Sequence, residues 1–546
     1  MESQAQRDRR LAGLLVQERL SWIAHWRELE GNFMPRKGRW LTTDANRGDR
    51  RNRSLINDAP IIAARIFTAG MMSGTTSASR PWFRLSLADP ELMEAEGVRV
   101  WLWIVEDRLR EIFAKSNFYQ VMPALYRDLG VIGTGLVLVE EDDEDVARFT
   151  HAPVGTYCIA NGRRGMADTL YRELTWTVRL VVEQFGPDAC SDATKAAYKD
   201  KNRWEQKVEI CHLVTPNTGR DSRYIDAKNM AFRSVWWEKS EPEKYLLESG
   251  FEEFPALAPR WETVGEDAYG QSPAMDCLGD AKALQVQEKR IAQGIDKFID
   301  PPMRASSRID RNAASIAAGS MTVIDETVGG VGFEPAVTID PRGIQFAAED
   351  VARMEMRIQR AMYADLFRML DSLDDRDRTA EEIRAREAER ITAIAPNIER
   401  QSREVLDPVV SLVFRLAARQ GRIPPPPPAL EGTEMRVEYI GVLAQAQKSL
   451  ATQTIERTVA FVGALAQAQA NAGLPPDAMD KLDIDQAFDE HSTALGTPPT
   501  IVRSDETVAQ IRERRQQMAD AQQNAAVAEQ ATAAVRNIGQ AAAAVS

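Results

Sequence analysis

The chain has 546 residues, 44% hydrophobic and 27% charged, which excludes a largely disordered polypeptide and exceeds what one hydrophobic core holds. A formal net charge of -13 excludes a protein that grips nucleic acid through a broad basic footprint, though not one past which DNA slides. No run approaches about eighteen apolar residues and MESQAQRDRRLAG has no apolar core, so neither membrane insertion nor signal-peptide export is expected.

The first predicted helix carries Leu11, Leu15, Trp22, Trp26 and Leu29 on one face. AGMMSGTTSASRPWF (69–83) follows the apolar run PIIAARIF and lacks the Lys-Ser/Thr of a phosphate-cradling loop. It reads as a structural joint whose glycines permit positive φ at a tight crossing. Trp101, Val105, Leu109 and Ile112 mark another helix. GVIGTG (130–135) precedes a strand instead of joining strand to helix, the wrong order for a dinucleotide site, and reads as a turn. From Gly135 to about Trp261 the period changes to two: LVLVE, TYCIA, TLYRELTWT, KVEICHLV and FRSVWWEK are predicted strands, with NGRRG as a turn.

After YGQSP the helical period returns from Pro273 to Ile299, through Leu284, Ile291, Ile295 and Phe298, and stops at the DPP of 300–302. Residues 303–343 lose that period. A second helix is predicted from about Gln345 to Leu370, carrying Val351, Met354, Ile358, Met362 and Leu366. DSLDDRDR (371–378) breaks it, and Thr379 with Glu382 forms a capping box for a longer helix through Ile391, Ile394, Ile398, Val405 and Val409. Pro396 predicts a kink in that helix and Pro408 a second bend, before the run ends near Gly421 and the stiff spacer PPPPP (424–428). Helices at 442–472 and 476–495 follow, then an Ala/Gln-rich tail from Ser504. All eleven tryptophans lie at or before Trp261, so the expected fold is α+β and helix-rich, with the mixed region first.

Candidate chemistry is sparse. Cys158, Cys190, Cys211 and Cys277 show no CxxC spacing and are expected to be free thiols. His25, His151, His212 and His491 are scattered, and Cys211 and His212 point to opposite faces of one strand, so structural roles are expected for all of them. EEDDED (140–145) and Asp371, Asp374, Asp375 and Asp377 could hold magnesium only if convergent elements brought them together; such runs read as solvated turns. No catalytic residue, metal or cofactor is expected.

Eight segments in order carry a resemblance. They are AGMMSGTTSASRPWF, YRDLGVIGTGLVLVEED, SGFEEFPALAPRW, YGQSPAMDCLGDAKALQVQEKRIAQGIDKFIDPPM, AMYADLFRML with DRTAEEIRARE, LDPVVSLVF, VEYIGVLAQAQK and IVRSDETVAQIRERR. Together they resemble the head-to-tail connector, or portal, proteins of short-tailed bacteriophages. The resemblance implies a ring of about twelve identical subunits at the unique capsid vertex, with a channel through which double-stranded DNA is packaged and ejected.

It further implies a mixed α/β wing over 1–268, stem helices over 269–299 and 345–370, and a small α/β clip over 300–344. A tunnel loop over 371–378, a long kinked wing helix over 379–424, a helical crown over 425–500 and a helical tail over 501–546 complete the subunit. Channel-facing residues are then Asp371, Asp374, Asp375, Arg376, Asp377 and Arg378, which leave the loop net acidic and so repel phosphates. Arg304, Arg308, Asp310, Arg311, Asp325 and Glu326 fall in the clip, the expected contact for terminase or adaptor. Implied partners are other copies of the chain, the DNA, the terminase large subunit, scaffold and major capsid protein, and tail adaptors, without a membrane. The implied location is the virion, and the host cytoplasm during assembly. Two other readings stand beside this one: a metal-dependent nuclease using the acidic clusters, and a helical scaffold without a channel.

Overall fold

The computed structural model describes residues 3–35, 55–87, 89, 92–93, 96–221, 223–224, 226–304, 334–335, 340–371, 394–430, 435–440, 458–469, 471–472, 475, 477–488 and 507–521. The chain forms two compact units, Met1–Arg84 with Trp103–Pro425 and Val437–Leu443, and Leu85–Leu102 with Pro426–Arg436 and Ala444–Ser546. In chain order the helices and strands are α1 (Gln4–Phe33), α2 (Ala59–Thr75), β1 (Phe83–Leu87), α3 (Glu96–Lys115), α4 (Phe118–Ile132), β2 (Val137–Asp142), β3 (Val146–His151), β4 (Tyr157–Asn161) and β5 (Ala167–Thr177). Then come α5 (Val178–Phe185), α6 (Asp192–Lys199), β6 (Lys207–Pro216), β7 (Phe232–Glu238), β8 (Tyr245–Phe251) and β9 (Ala256–Leu257).

α1 starts at a capping box: Ser3 Oγ accepts from Gln6 N–H and Gln6 Oε1 accepts from Ser3 N–H, which satisfies two otherwise orphaned donors. Its inward face is the expected one, with Leu15, Trp26 and Leu29 buried and Leu11 and Trp22 half-buried. The N-terminal part of that face, with Leu11 and Leu15, lies on a five-stranded antiparallel sheet of order β4-β5-β6-β7-β8, and Trp22 and Trp26 pack against Tyr269. Side-chain alternation along the strands divides the sheet into two cores. Cys158, Tyr171, Cys211, Leu213, Val235 and Trp237 pack under Ala12 and Leu15 of α1. Val181 and Val182 of α5 pack with Ile210, Trp236 and Leu246 on the other face. Polar ties seat α1: Arg19 Nη1 donates to the carbonyls of Gly155 and Tyr157, and the half-exposed end of the sheet contributes Arg233 and Tyr245, which both donate to buried Asp8 at 2.7 and 2.6 Å.

The expected strands are present as β2 and β4–β7. α5 and α6 were not anticipated, nor were β3 and β8. α5 and α6 are short helices started by Thr177 and Ser191, whose hydroxyls accept from Leu180 and Thr194 N–H.

Cys211 and His212 do point to opposite faces. His212 is fully buried and stacks on Trp236 at 3.8 Å between ring centroids. Arg172 Nε donates to His212 Nδ1 at 2.9 Å, which assigns the ring proton to Nε2 and makes Ser234 Oγ, at 2.9 Å, its acceptor. Burial, then the Arg172 charge, hold the imidazole pKa well below its usual value. The unfolded chain therefore binds a proton here that the folded chain refuses. The resulting stability is fully present above about pH 6.5 and is lost as pH falls from there toward the depressed folded value. A His212→Gln variant should flatten the pH dependence of the unfolding free energy from urea titrations below pH 6.5, by up to about 1.4 kcal/mol per pH unit relative to the parent. Parallel parent and variant profiles would show that His212 is protonated in the folded protein.

All four cysteines are free, as expected; they are also buried, and burial pushes the thiols of Cys158 and Cys277 up to about 12. EEDDED is a turn only in its second half: residues 140–142 end β2, paired with Arg148, Ala147 and Val146, and 143–145 close the β2–β3 hairpin, with Asp142 Oδ1 accepting from the N–H groups of Glu144 and Asp145.

AGMMSG is not a turn. Gly70 and Gly74 lie inside α2, and neither has a positive φ; the joint expected at 69–83 is confined to the residues between Thr75 and Phe83. The glycines serve close packing instead. A Cβ at Gly70 would fall 2.5 Å from Cβ of Phe367, whose ring also meets Phe67 edge-on at 5.8 Å. Phe67 in turn fills the space left by Gly130 of α4.

In the second unit, residues 458–469 and 484–488 are helical within the expected spans 442–472 and 476–495, and residues 507–521 are helical within the tail. Arg512 donates to both carboxylate oxygens of Asp485, with Nη2 at 2.7 Å from Oδ1.

Candidate functional site

The sequence places its functional expectations on the segment after YGQSP, and there the first unit forms a helical hairpin. Its elements are α7 (Pro273–Asp276), α8 (Leu278–Ile299), β10 (Met303–Arg304), β11 (Glu334–Pro335), α9 (Pro341–Ala361) and α10 (Ala364–Asp371). Ser272 accepts from Met275 N–H at the start of α7, and Pro273 occupies the first turn, where its missing donor costs nothing. The expected single helix from Pro273 to Ile299 is interrupted at Cys277, which adopts φ -105 and ψ 11.

The root of the hairpin is held to the turn GVIGTG. Gly133 caps α4 at φ 83, a left-handed conformation that suits glycine, and Gly270 N–H donates to Thr134 Oγ1 at 2.8 Å. Ser272 Oγ donates to the Val131 carbonyl at 2.7 Å. A Cβ at Gly270 would lie 2.5 Å from the Gly133 oxygen, so two glycines are needed where the backbones cross.

Asn57 then ties both long helices together. Its Oδ1 accepts from Ala59 N–H at the start of α2, while its Nδ2 donates to Glu288 of α8 at 3.0 Å and to Glu355 of α9 at 2.7 Å. Gln285 Oε1 accepts from the N–H groups of Ile56 and Asn57, and its Nε2 returns a bond to the Asn57 carbonyl. Arg357 of α9 pairs with Asp280 of α8 at 3.3 Å. Leu278, Ala281 and Leu284 with Val351, Met354 and Ile358 form the buried seam. Farther along the hairpin, large apolar side chains are open: Phe298 and Ile299 are 52% and 74% exposed, and Phe346 is 68% exposed. Val286 and Met356, on the outer faces, are 50% and 60% exposed.

Past the ends of α8 and before α9, the chain makes an antiparallel two-stranded ladder, Met303 opposite Pro335 and Arg304 opposite Glu334. Of the residues expected to contact terminase or adaptor, Arg304 lies in this ladder; Arg308, Asp310, Arg311, Asp325 and Glu326 lie outside the described residues. The helix expected from Gln345 to Leu370 starts earlier, at Pro341, and is broken after Ala361. Tyr363 takes φ 55, unusual for an aromatic residue, and redirects the chain into α10. Buried Met362, Ala364, Leu366 and Phe367 and the contact of Tyr363 with Trp261, 5.7 Å between centroids, hold it there. Asp371 ends α10; Asp374, Asp375, Arg376, Asp377 and Arg378, and the capping box of Thr379 and Glu382, lie outside the described residues.

The long helix is described from Ile394. Residues 394–401, including Pro396, are helical, and the irregularity lies at a π-helical turn, Ser402–Leu406, ahead of α11 (Asp407–Arg419). Pro408 explains it: proline offers no N–H to the Glu404 carbonyl four residues back, and its ring crowds that carbonyl. This turn delivers the Glu404 carboxylate to Arg260, whose side chain is 1% exposed. Glu404 Oε1 accepts from Arg260 Nη2 at 2.7 Å and Oε2 from the Arg260 backbone N–H at 2.8 Å. The guanidinium also donates to Asn161 Oδ1 at 2.6 Å and to the Gly165 carbonyl at 2.7 Å, so the predicted NGRRG turn completes the clamp.

Sequence reasoning missed Asn57, Gln285, Tyr363 and the Arg260–Glu404 pair. NDAP at 57–60 is a helix-start signal that pointed to the position of Asn57, while the pair joins residues far apart in the chain and left no local pattern. Among the described residues no group of three or more His, Cys, Asp or Glu could hold a metal, and no helix is long and apolar enough to cross a membrane.

Comparison with known proteins agrees with the resemblance carried by the motifs. The family described as bacteriophage head to tail connecting protein matches residues 5–502. The portal protein of Salmonella phage epsilon15 is 41% identical over 528 residues, 96% of this chain and 94% of that protein. A protein of Bordetella phage BPP-1 named "Probable portal protein" is 36% identical over 528 residues, with the same coverage of both chains. Among solved structures, a chain of the native gene transfer agent virion overlaps at TM-score 0.34 and 13% identity, covering 84% of this chain and 99% of that one. A chain from the neck of the empty gene transfer agent particle overlaps at TM-score 0.35 and 12% identity, covering 81% and 96%. On the sequence matches, which span nearly its whole length, this chain belongs to the bacteriophage head to tail connecting proteins, the portal proteins of phages.

Proposed function

We propose that the chain works as a closed ring of about twelve copies around a channel that passes double-stranded DNA during packaging and ejection. The observation that carries this reading is the hairpin of α8 and α9. It is tied firmly at its root by Asn57 and Gln285, yet leaves Val286, Phe298, Ile299, Phe346 and Met356 open to water. Neighbouring copies repeating around an axis would cover such residues, each fully buried side chain contributing about 1.5–3 kcal/mol.

The charge pattern fits a conduit. In α8, Lys282, Lys289, Arg290 and Lys297 outnumber Asp280, Glu288 and Asp296, and in α9 Arg342, Arg353, Arg357 and Arg360 outnumber Glu349, Asp350 and Glu355. The hairpin is thus slightly basic within a chain of net charge -13, a balance that touches phosphates without trapping them by counterion release.

In this assembly residues 1–268 form the wing, 269–299 and 345–370 the stem, 300–344 the clip, 371–378 the tunnel loop, 379–424 the long wing helix and 425–500 the crown, with 501–546 as the tail. The ring sits at the capsid vertex of the virion, after assembly in the host cytoplasm with scaffold and major capsid protein. It performs no catalysis. A separate terminase docked on the clip supplies the energy, and tail adaptors later take that place.

The test is a paired substitution on the open faces, Ile299→Glu with Phe346→Glu, each side chain already exposed in the single chain. The variant should keep the helical content of the parent and sediment as subunits at concentrations where the parent forms rings. Rings at parental yield would show that these faces do not meet a neighbour.

A further inference from the structure

The two outer faces of the hairpin differ in charge. On α8, Lys282, Val286, Lys289 and Gln293 recur three and four residues apart, opposite buried Ala281 and Leu284, and all four are exposed. From Lys282 to Ile295 the helix exposes Lys282, Lys289 and Arg290 and no carboxylate, because Glu288 is half-buried on Asn57. On α9, Glu349, Arg353, Met356 and Arg360 are exposed opposite buried Val351, Met354 and Ile358. Glu349 is the open carboxylate of that face, since Asp350 and Glu355 are bound to Arg353 and Asn57. Lys282 already pairs with Glu28 at 3.2 Å. Among the described residues neither Lys289 nor Glu349 meets an oppositely charged side chain.

Two cross-ties set the heights of these residues. Asp280 pairs with Arg357 near the root, and a Cβ at Gly294 would lie 3.9 Å from Ile344 Cγ1 of α9. Between the ties α8 advances fourteen residues while α9 returns thirteen, at about 1.5 Å each, so Lys289 and Glu349 stand level along the hairpin. They lie on opposite outer faces, and so cannot pair within one copy.

We propose that α8 of each copy docks against α9 of the next, with Lys289 of one copy paired to Glu349 of its neighbour. This contact rests on the ring proposed above and names the faces that meet in it. A copy rotated about an axis parallel to the hairpin presents its α9 face to its neighbour's α8 face at the same height, the head-to-tail contact that a closed ring repeats. Val286 and Met356, rootward of the pair on these faces, are covered by the same contact. Joining copies α8 to α8 would instead set Lys282, Lys289 and Arg290 against their own counterparts, at a cost from like charges.

The test follows ring assembly of full-length chains by single-molecule mass over a concentration series at low ionic strength. Lys289→Glu and Glu349→Lys should each raise the concentration for half-maximal ring formation about tenfold, because each turns an attraction into a repulsion at every contact. The two together in one chain should restore assembly to within about threefold of the parent. Arg290→Glu, about 100° farther round α8, should not rescue Glu349→Lys. All three side chains are exposed, and circular dichroism checks that helical content is kept. Single variants that assemble like the parent, a double variant no better than the singles, or equal rescue by Arg290→Glu would overturn the pairing, while rings of the parent leave the ring itself standing. A parent chain that forms no rings would overturn both.

Discussion

Arg260→Ala is expected to lower the stability of the first unit by about 3–5 kcal/mol, because it leaves the Glu404 carboxylate buried without its cation. The guanidinium ties two segments to its own strand-like segment beside β9: the π-helical turn through Glu404, and the NGRRG turn through Asn161 and Gly165. Removing it also strands the Asn161 and Gly165 oxygens. Urea unfolding followed by tryptophan fluorescence should show a clearly lower midpoint, since ten of the chain's tryptophans precede Trp261 and Trp261 adjoins the clamp. The double variant Arg260→Met with Glu404→Leu should recover much of the loss, because an apolar pair of similar volume removes the unpaired charge. A midpoint unchanged in Arg260→Ala would mean that the clamp is hydrated and weak.

Gly70→Val is expected to be strongly destabilising in α2. Its new Cβ would fall within the ring and against the Cβ of Phe367, a side chain that is 2% exposed and has no room to retreat. Overpacking of this kind costs about 1–3 kcal/mol, with a further penalty for the β-branch in a helix. Phe367→Ala in the same chain should return part of the loss by emptying the contested space, a coupling that a thermal-melt cycle reads directly. Gly279→Ala supplies the contrast: it lies in α8 with nothing within 4 Å of the new methyl, and should stabilise by about 0.4–1 kcal/mol. Equal melting points for Gly70→Val and the parent would place Phe367 elsewhere.

The elements most visible in the sequence are those with a strong period. Leu15, Trp26 and Leu29 announced α1, and KVEICHLV and FRSVWWEK announced β6 and β7, down to the opposite faces of Cys211 and His212. The hairpin helices were equally plain from Leu284 and from Val351, Met354 and Ile358. Their interruptions were not. Cys277 and Tyr363 are ordinary helix residues by propensity, and only tertiary packing around Trp261 and Phe367 makes a break at Tyr363 preferable. AGMMSG misled for a related reason: glycine signals a turn when the backbone needs it and a close helix contact when a neighbour does, and the neighbour of Gly70 lies almost three hundred residues away in the chain, at Phe367. The bend expected at Pro408 has a counterpart in the π-helical turn just before it, since the steric demand of proline is local.

The central claim is closure into a ring, and the mass of the assembled protein tests it most directly. Single-molecule mass measurement with negative-stain imaging in moderate salt should find rings with a central hole and a mass near twelve times the 60.9 kDa subunit, roughly 730 kDa. A stable dimer or an open filament, without a closed ring at any concentration, would contradict it.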